Sequence, residues 1–251
     1  MSKSFVEAIS RAASRNHSRV VLALDVKGPN VIEKAKKILE ETSSYICCVK
    51  INKHLILSTG LEGLRELVER AHSLGLPVIV DCKMCDIGST NLVETSYYFD
   101  AGFDAITVMP LPGWIDGLSD VFHVAKERDK GVLVVVLMSH KGASEFFETI
   151  AFDEEYGVFD KLYRIFARRA VKWRADGVIV GATRPDAIRQ VKSIIGEVPI
   201  FSPGIVVQGG VVEEALRAGA SYVIAGRAIC ESINPADKAR ELRDVTRQFS
   251  Q

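Results

Sequence analysis

The chain carries no net charge: 32 basic residues stand against 32 acidic ones over 251 residues. That balance leaves no electrostatic footprint for a nucleic-acid backbone and argues against DNA binding as the main task. It leaves room for a small anion held by two or three local charges. No apolar run approaches the roughly eighteen residues of a membrane-spanning helix. The leading segment, MSKSFVEAISRAASRNHSRV, lacks the apolar stretch of a secretory signal and reads as an amphipathic helix. Cysteine is scarce and odd in number: Cys47, Cys48, Cys82, Cys85 and Cys230. Without a secretory signal this pattern predicts a reducing, cytoplasmic location. Cys82-Lys83-Met84-Cys85 has CxxC spacing, but no second pair stands at zinc spacing, and the thiols read as small buried side chains. His17, His54, His72, His123 and His140 do not converge on a metal motif. Linkers rich in Gly, Pro or Ser are missing, and so is any sign of a second domain.

Hydrophobic residues make up 47% of the chain and charged ones 25%, an ordinary globular balance. Short β-branched runs alternate with longer amphipathic stretches. The runs begin near Arg19 (RVVLALDV), Ile46 (ICCVKIN), Pro77 (PVIVDCK), Asp104 (DAITVM), Val132 (VLVVVLM), Gly177 (GVIVGA), Val198 (VPIFS) and Ser221 (SYVIAG). Runs continuous in Val, Ile and Leu are buried on both faces, as in parallel sheets. Helix-period segments such as Val31–Glu41, Leu61–Leu74, Gly113–Arg128 and Pro185–Ile195 lie between them. Eight strands, each followed by a helix, predict an α/β fold, a single (β/α)8 TIM barrel over 1–251 with an extra N-terminal helix. A doubly wound open sheet is the rival, but the first strand is followed by Asp25-Val26-Lys27-Gly28-Pro29, which is no GxGxxG. One connection is long: Ser139 to about Asp160, with several Phe and several acids. It reads as a functional lid or as a helical extension without a role.

In such barrels the chemistry sits at the C-terminal ends of the strands. There the sequence places Asp25, Lys50, the pair Asp81 and Lys83, Ser139, Ser202-Pro203-Gly204 and Gly226-Arg227. A charge inside an apolar run is informative, because burying it unpaired is costly. Asp81 and Lys83 are two apart, so strand alternation puts them on one face, within reach of Lys50 on the adjacent strand. With Asp86 they form a candidate Lys–Asp–Lys–Asp array. A solvated charge cluster is the alternative for a lone D-x-K, and four alternating charges weigh against it. Around the last two strand ends, Gly204, Gly209, Gly210 and Gly226 let backbone N–H groups approach an oxyanion, and Arg227 can pair with phosphate.

At these residues the sequence resembles the orotidine 5'-phosphate decarboxylase family, most closely its short, archaeal-type form. The family's D-x-K-x-x-D-I stands as Asp81-Cys82-Lys83-Met84-Cys85-Asp86-Ile87. LALDV carries Asp25, VKIN carries Lys50, MSHKGA carries Ser139, SPGIVVQGG carries Pro203 and Gln208, and AGRAI carries Arg227. The resemblance implies loss of CO2 from carbon 6 of orotidine 5'-phosphate, giving uridine 5'-phosphate as the last step of pyrimidine nucleotide synthesis. It implies no metal and no organic cofactor, and no nucleic-acid or membrane partner. Lys83 would donate the proton, with Asp81, Asp86 and Lys50 completing the catalytic array. Asp25, Lys50 and Thr90 would hold ribose hydroxyls. Ser139 would bond the pyrimidine edge, Gln208 would bridge base and phosphate, and Arg227 with the backbone near Gly226 would grip phosphate. A homodimer is implied, in which Asp86, Ile87 and Thr90 complete the neighbour's site.

The sequence departs from relatives at Ile205-Val206-Val207-Gln208, at Val108-Met109-Pro110 and at Gly88-Ser89, none of them in the charged array. Two other readings are weighed. Sugar-phosphate relatives, a 3-keto-gulonate 6-phosphate decarboxylase or a hexulose-phosphate synthase, share the D-x-K-x-x-D barrel. They use Mg²⁺ and tend to carry Glu where Lys50 stands, and a cation there would repel the metal. A non-catalytic nucleotide-binding barrel would not need all four charges.

Overall fold

The computed structural model describes residues 4–249; Met1–Lys3 of the predicted leading helix, and the last two residues of the predicted 1–251 domain, lie outside the described residues. Ten strands occur in chain order: β1 (Val20–Ala23), β2 (Cys48–Asn52), β3 (Val78–Met84), β4 (Ala105–Val108), β5 (Gly131–Leu137), β6 (Ile150–Asp153), β7 (Val158–Lys161), β8 (Gly177–Val180), β9 (Ile200–Pro203) and β10 (Tyr222–Ala225). All but β6 and β7 form a closed barrel in the order β1-β10-β9-β8-β5-β4-β3-β2. Every barrel pairing is parallel, and β1 closes the ring between β10 (Val20 opposite Val223) and β2 (Val21 opposite Cys48). The predicted (β/α)8 barrel is therefore the observed architecture. Strands such as VVLA, AITV, GVLVVVL and GVIV are buried at every position. One face fills the barrel and the other meets the helices, which is why these runs do not alternate with polar residues.

The N-terminal helix spans Phe5–Asn16 and starts on Ser4, whose side chain accepts from the Glu7 N–H. Its apolar face is Phe5, Ile9 and Ala12, all buried. Phe5 stacks on Phe201 at 6.3 Å between ring centroids, and Phe201 stacks in turn on Tyr222 at 4.8 Å. These rings close the end of the barrel where the strands begin, opposite the functional rim. Burying a phenylalanine contributes about 1.5–3 kcal/mol, so the extra helix acts as a hydrophobic plug.

Two expectations shift in detail. The predicted helix over Gly113–Arg128 is an irregular turn at Trp114–Leu118 followed by a helix at Ser119–Glu127. Ile115 is extended (ψ 130°) and Asp116 is left-handed (φ 54°), which breaks the helical period. The long connection after β5 is not a helical extension. It holds a short helix (Ser144–Phe147) and the antiparallel β6–β7 hairpin.

The hairpin explains that segment's composition. Phe152 and Phe159 form a cross-strand pair at 5.1 Å. The acids face the helix Leu162–Lys172. Buried Asp153 accepts from Arg168 Nε at 2.8 Å and Arg169 Nη2 at 2.6 Å, and Asp160 accepts from Arg164 and Arg168. Burial alone would raise both carboxyl groups; hydrogen bonds from these arginines outweigh it and hold them below their usual range. Their stabilisation is therefore complete above the ordinary carboxylate value of about 4, and is lost as pH falls through the depressed folded value.

An isolated two-stranded hairpin is marginal in water, so this one depends on its ion pairs. Asp153→Ala should cost about 1–3 kcal/mol in chemical denaturation and open residues 150–161 to proteolysis before the barrel unfolds. Unchanged stability with an intact hairpin would contradict this anchoring.

Candidate active site

The C-terminal ends of the barrel strands surround a cavity of about 210 Å³. Nine residues expected there line it: Asp25, Lys50, Asp81, Lys83, Ser139, Pro203, Gln208, Gly226 and Arg227. They come from β1, β2, β3, β5, β9 and β10 or the turns that follow, so barrel closure is what gathers them.

At the centre is the Asp81 carboxylate. Its Oδ2 accepts from Lys50 Nζ at 2.7 Å and its Oδ1 from Lys83 Nζ at 2.7 Å. Asp81 and Lys50 are buried; the Lys83 side chain is about one-third exposed and opens to the cavity. Burial of Asp81 disfavours its charge, but the two ammonium groups more than offset this and hold the carboxyl well below the usual carboxylate range. The site thus keeps one negative charge between two positive ones.

Asp81 and Lys83 meet by a different route from simple strand alternation. The β3–β4 register runs Ile79 opposite Ala105 and Val80 opposite Ile106, then resumes only at Met84 opposite Val108. β3 bulges in between, and Lys83 takes a left-handed backbone (φ 47°). Non-glycine residues rarely adopt that conformation, and such outliers concentrate at functional sites.

Asp25, after β1, also lines the cavity and has a buried Oδ1 with no hydrogen-bond partner among the described residues. A buried carboxylate oxygen without a partner is costly, and so marks a group whose partner the protein alone does not supply. Gly226 leaves room beside it: a Cβ there would lie 2.4 Å from Asp25 Oδ2, so any side chain would push that carboxylate aside. Gly204 has φ +93°, and a Cβ would lie 2.6 Å from Gln208 Oε1 and 2.7 Å from Ser139 Cβ. These two glycines let the β9 and β10 turns approach the cavity. Gln208 and Arg227 are exposed on its rim.

Asp86, Ile87 and Thr90 do not line this cavity. They stand exposed on the turn after β3 and the first turn of the helix Gly88–Asp100. Buried Asn91 fixes that turn: its Nδ2 donates to the carbonyls of Asp86 (2.6 Å) and Gly117 (3.0 Å), and its Oδ1 accepts from the Asp86 N–H. The structure therefore brings Lys50, Asp81 and Lys83 together and leaves Asp86 outside the cavity in the single chain.

Three contributors escaped the sequence reading. Asn52 lines the cavity, Asn91 clamps the Asp86 turn, and buried Thr107 donates to Asp81 Oδ1 at 3.0 Å. Thr107 sits in the apolar run AITV, and threonine suits strands anyway, so only its hydroxyl in a fully buried strand was a signal. The CxxC pair is split: Cys82 is buried, with its thiol pushed up to about 12 by burial, while Cys85 is exposed. All five cysteines are free.

Residues 18–242 match the profile of the orotidine 5'-phosphate decarboxylase / HUMPS family. An orotidine 5'-phosphate decarboxylase of Methanosarcina barkeri is 36% identical over 236 residues, which is 93% of this chain and 97% of that protein. Among solved structures, the orotidine 5'-monophosphate decarboxylase of Methanocaldococcus jannaschii complexed with inhibitor BMP superposes with a TM-score of 0.78 at 31% identity, covering 90% of this chain and 97% of that one. The UMP synthase of Leishmania donovani gives 0.86 at 27% identity and covers 99% of this chain, which spans only 57% of that longer one.

Gly226→Ala should displace the Asp25 carboxylate and cost about 1–3 kcal/mol in denaturant unfolding, the usual scale of overpacking. A variant as stable as the wild type, with Asp25 unmoved, would refute the close approach described here.

Proposed function

The chain belongs to the orotidine 5'-phosphate decarboxylase / HUMPS family, and from that premise we propose how its cavity works: Lys83 protonates carbon 6 as CO2 leaves, without metal or organic cofactor. The enzyme is a carboxy-lyase of pyrimidine biosynthesis that converts orotidine 5'-phosphate to uridine 5'-phosphate. The observation that carries the mechanism is the Asp81 carboxylate held at 2.7 Å from both Lys50 and Lys83 at the cavity.

With substrate bound, Asp81 faces the orotate carboxylate. Two like charges about 4 Å apart repel by roughly 4 kcal/mol at an effective dielectric near 20. The bond from carbon 6 to the carboxyl carbon breaks, CO2 departs neutral, and the electron pair stays on carbon 6. The repulsion ends with that step, while the Lys83 ammonium attracts the developing carbanion throughout. Lys83 then gives carbon 6 its proton and is recharged from solvent. Ser139 bonds the pyrimidine edge, Gln208 spans base and phosphate, and Arg227 with the Gly226 backbone grips phosphate. Asp25 and Lys50, both lining the cavity, hold ribose hydroxyls.

Asp86, Ile87 and Thr90 act in the neighbouring site of a homodimer. Two features support this: Asn91 holds their turn in place, and Ile87, Val93, Tyr97 and Ile115 leave apolar surface exposed around it. The sugar-phosphate members of the family are disfavoured by Lys50, whose ammonium already occupies Asp81 Oδ2 and would repel a divalent cation.

Decarboxylation of orotidine 5'-phosphate, followed by its ultraviolet absorbance, should survive EDTA and vanish in Lys83→Ala. Arg227→Ala should lower kcat/KM by about tenfold to a hundredfold, the scale of one hydrogen-bonded charge. Loss of turnover in EDTA, or a fully active Lys83→Ala, would reject the mechanism.

A further inference from the structure

We propose that Thr107, on β4 behind the cavity, is a positioning residue: its hydroxyl simultaneously orients the Asp81 carboxylate and pins the left-handed backbone of Lys83. This rests on the reading of the site given above. Between the pairs Val80–Ile106 and Met84–Val108, three residues of β3 stand against one residue of β4. That one residue is Thr107, and it bonds to all three. Its Oγ1 accepts from the Lys83 N–H at 2.8 Å and lies 3.0 Å from Asp81 Oδ1, and its carbonyl accepts from Cys82 Sγ at 3.2 Å.

The hydrogen count fixes the direction. A threonine hydroxyl has one hydrogen, and an ionised carboxylate can only accept. Since the Lys83 amide donates to Oγ1, the hydroxyl hydrogen is left for Asp81 Oδ1. Thr107 is wholly buried, so neither bond competes with water. Asp81 Oδ1 is then shared by Thr107 and Lys83 Nζ, and Lys83 is held at both ends: its backbone by Thr107, its ammonium by a carboxylate that Thr107 orients. The bulge takes the Lys83 N–H out of the regular ladder, and a buried N–H without an acceptor is costly. Thr107 supplies that acceptor. Valine has the same shape and suits a strand equally, so β4 itself needs no hydroxyl there; the bulged Lys83 backbone and the charged array do.

The test compares Thr107→Val and Thr107→Ser with the wild type. Thr107→Val should lower kcat roughly tenfold to a hundredfold, the scale of one lost hydrogen bond to a charged group. KM should change little, because the phosphate-binding residues are untouched. Thr107→Ser, which restores the hydroxyl, should recover most of the loss. Backbone hydrogen exchange supplies a readout independent of turnover: the Lys83 amide should be protected in the wild type and in Thr107→Ser, and exposed in Thr107→Val. Wild-type kcat in Thr107→Val, or a Thr107→Ser as impaired as Thr107→Val, would overturn the proposal. A wild type that turns over no orotidine 5'-phosphate would reject the functional reading instead. Amide exchange then decides the positioning role alone, and equal Lys83 protection in all three proteins would overturn it.

Discussion

A carboxylate inside a barrel stays ionised only if the protein replaces the water it has lost. Asp81 has that replacement in Lys50, Lys83 and Thr107, three donors from three adjacent strands. Removing any one leaves a buried charge underserved, which costs far more than the intact pair contributes. The arrangement therefore constrains β2, β3 and β4 together: their register, the bulge that breaks it, and the left-handed turn at Lys83. It also underlies the proposed chemistry, in which an obligatory negative charge stands beside the substrate carboxylate that is to leave as neutral CO2.

The rest of the molecule supports that point from a distance. The N-terminal helix plugs the far end with Phe5, stacked on Phe201. The β9 and β10 turns carry Gly204 and Gly226 where side chains would collide with Gln208, Ser139 and Asp25. In the proposed mechanism, binding energy gathered on phosphate and ribose holds the base against Asp81 despite the repulsion. The Asp86 turn follows another logic: Asn91 clamps it, yet it faces outward, which fits the proposal that Asp86 acts in a neighbour's cavity.

The barrel was legible because parallel strands buried on both faces read as unbroken Val/Ile/Leu runs, and all eight stood out. The central charges were legible for the same reason: Lys50, Asp81 and Lys83 interrupt such runs. Less of the remainder could be read. The β6–β7 hairpin is stabilised by pairing of Asp153 and Asp160 with arginines of the next helix, a contact that strand periodicity does not report. The β3 bulge was invisible because alternation alone already predicted that Asp81 and Lys83 would meet. Thr107 was hidden because a β-branched residue in a strand draws no attention. Asn91 was hidden because its work is done on backbone carbonyls.

The measurement that bears most directly on the account is a comparison of turnover and product affinity in Asp81→Asn. If Asp81 acts by its charge against the leaving carboxylate, turnover should fall by about a thousandfold, the equivalent of roughly 4 kcal/mol. Uridine 5'-phosphate, which has no carboxylate to repel, should bind no more weakly than it does to the wild type. Near-normal turnover in the folded variant, or a loss confined to nucleotide affinity, would contradict the central role given to this carboxylate.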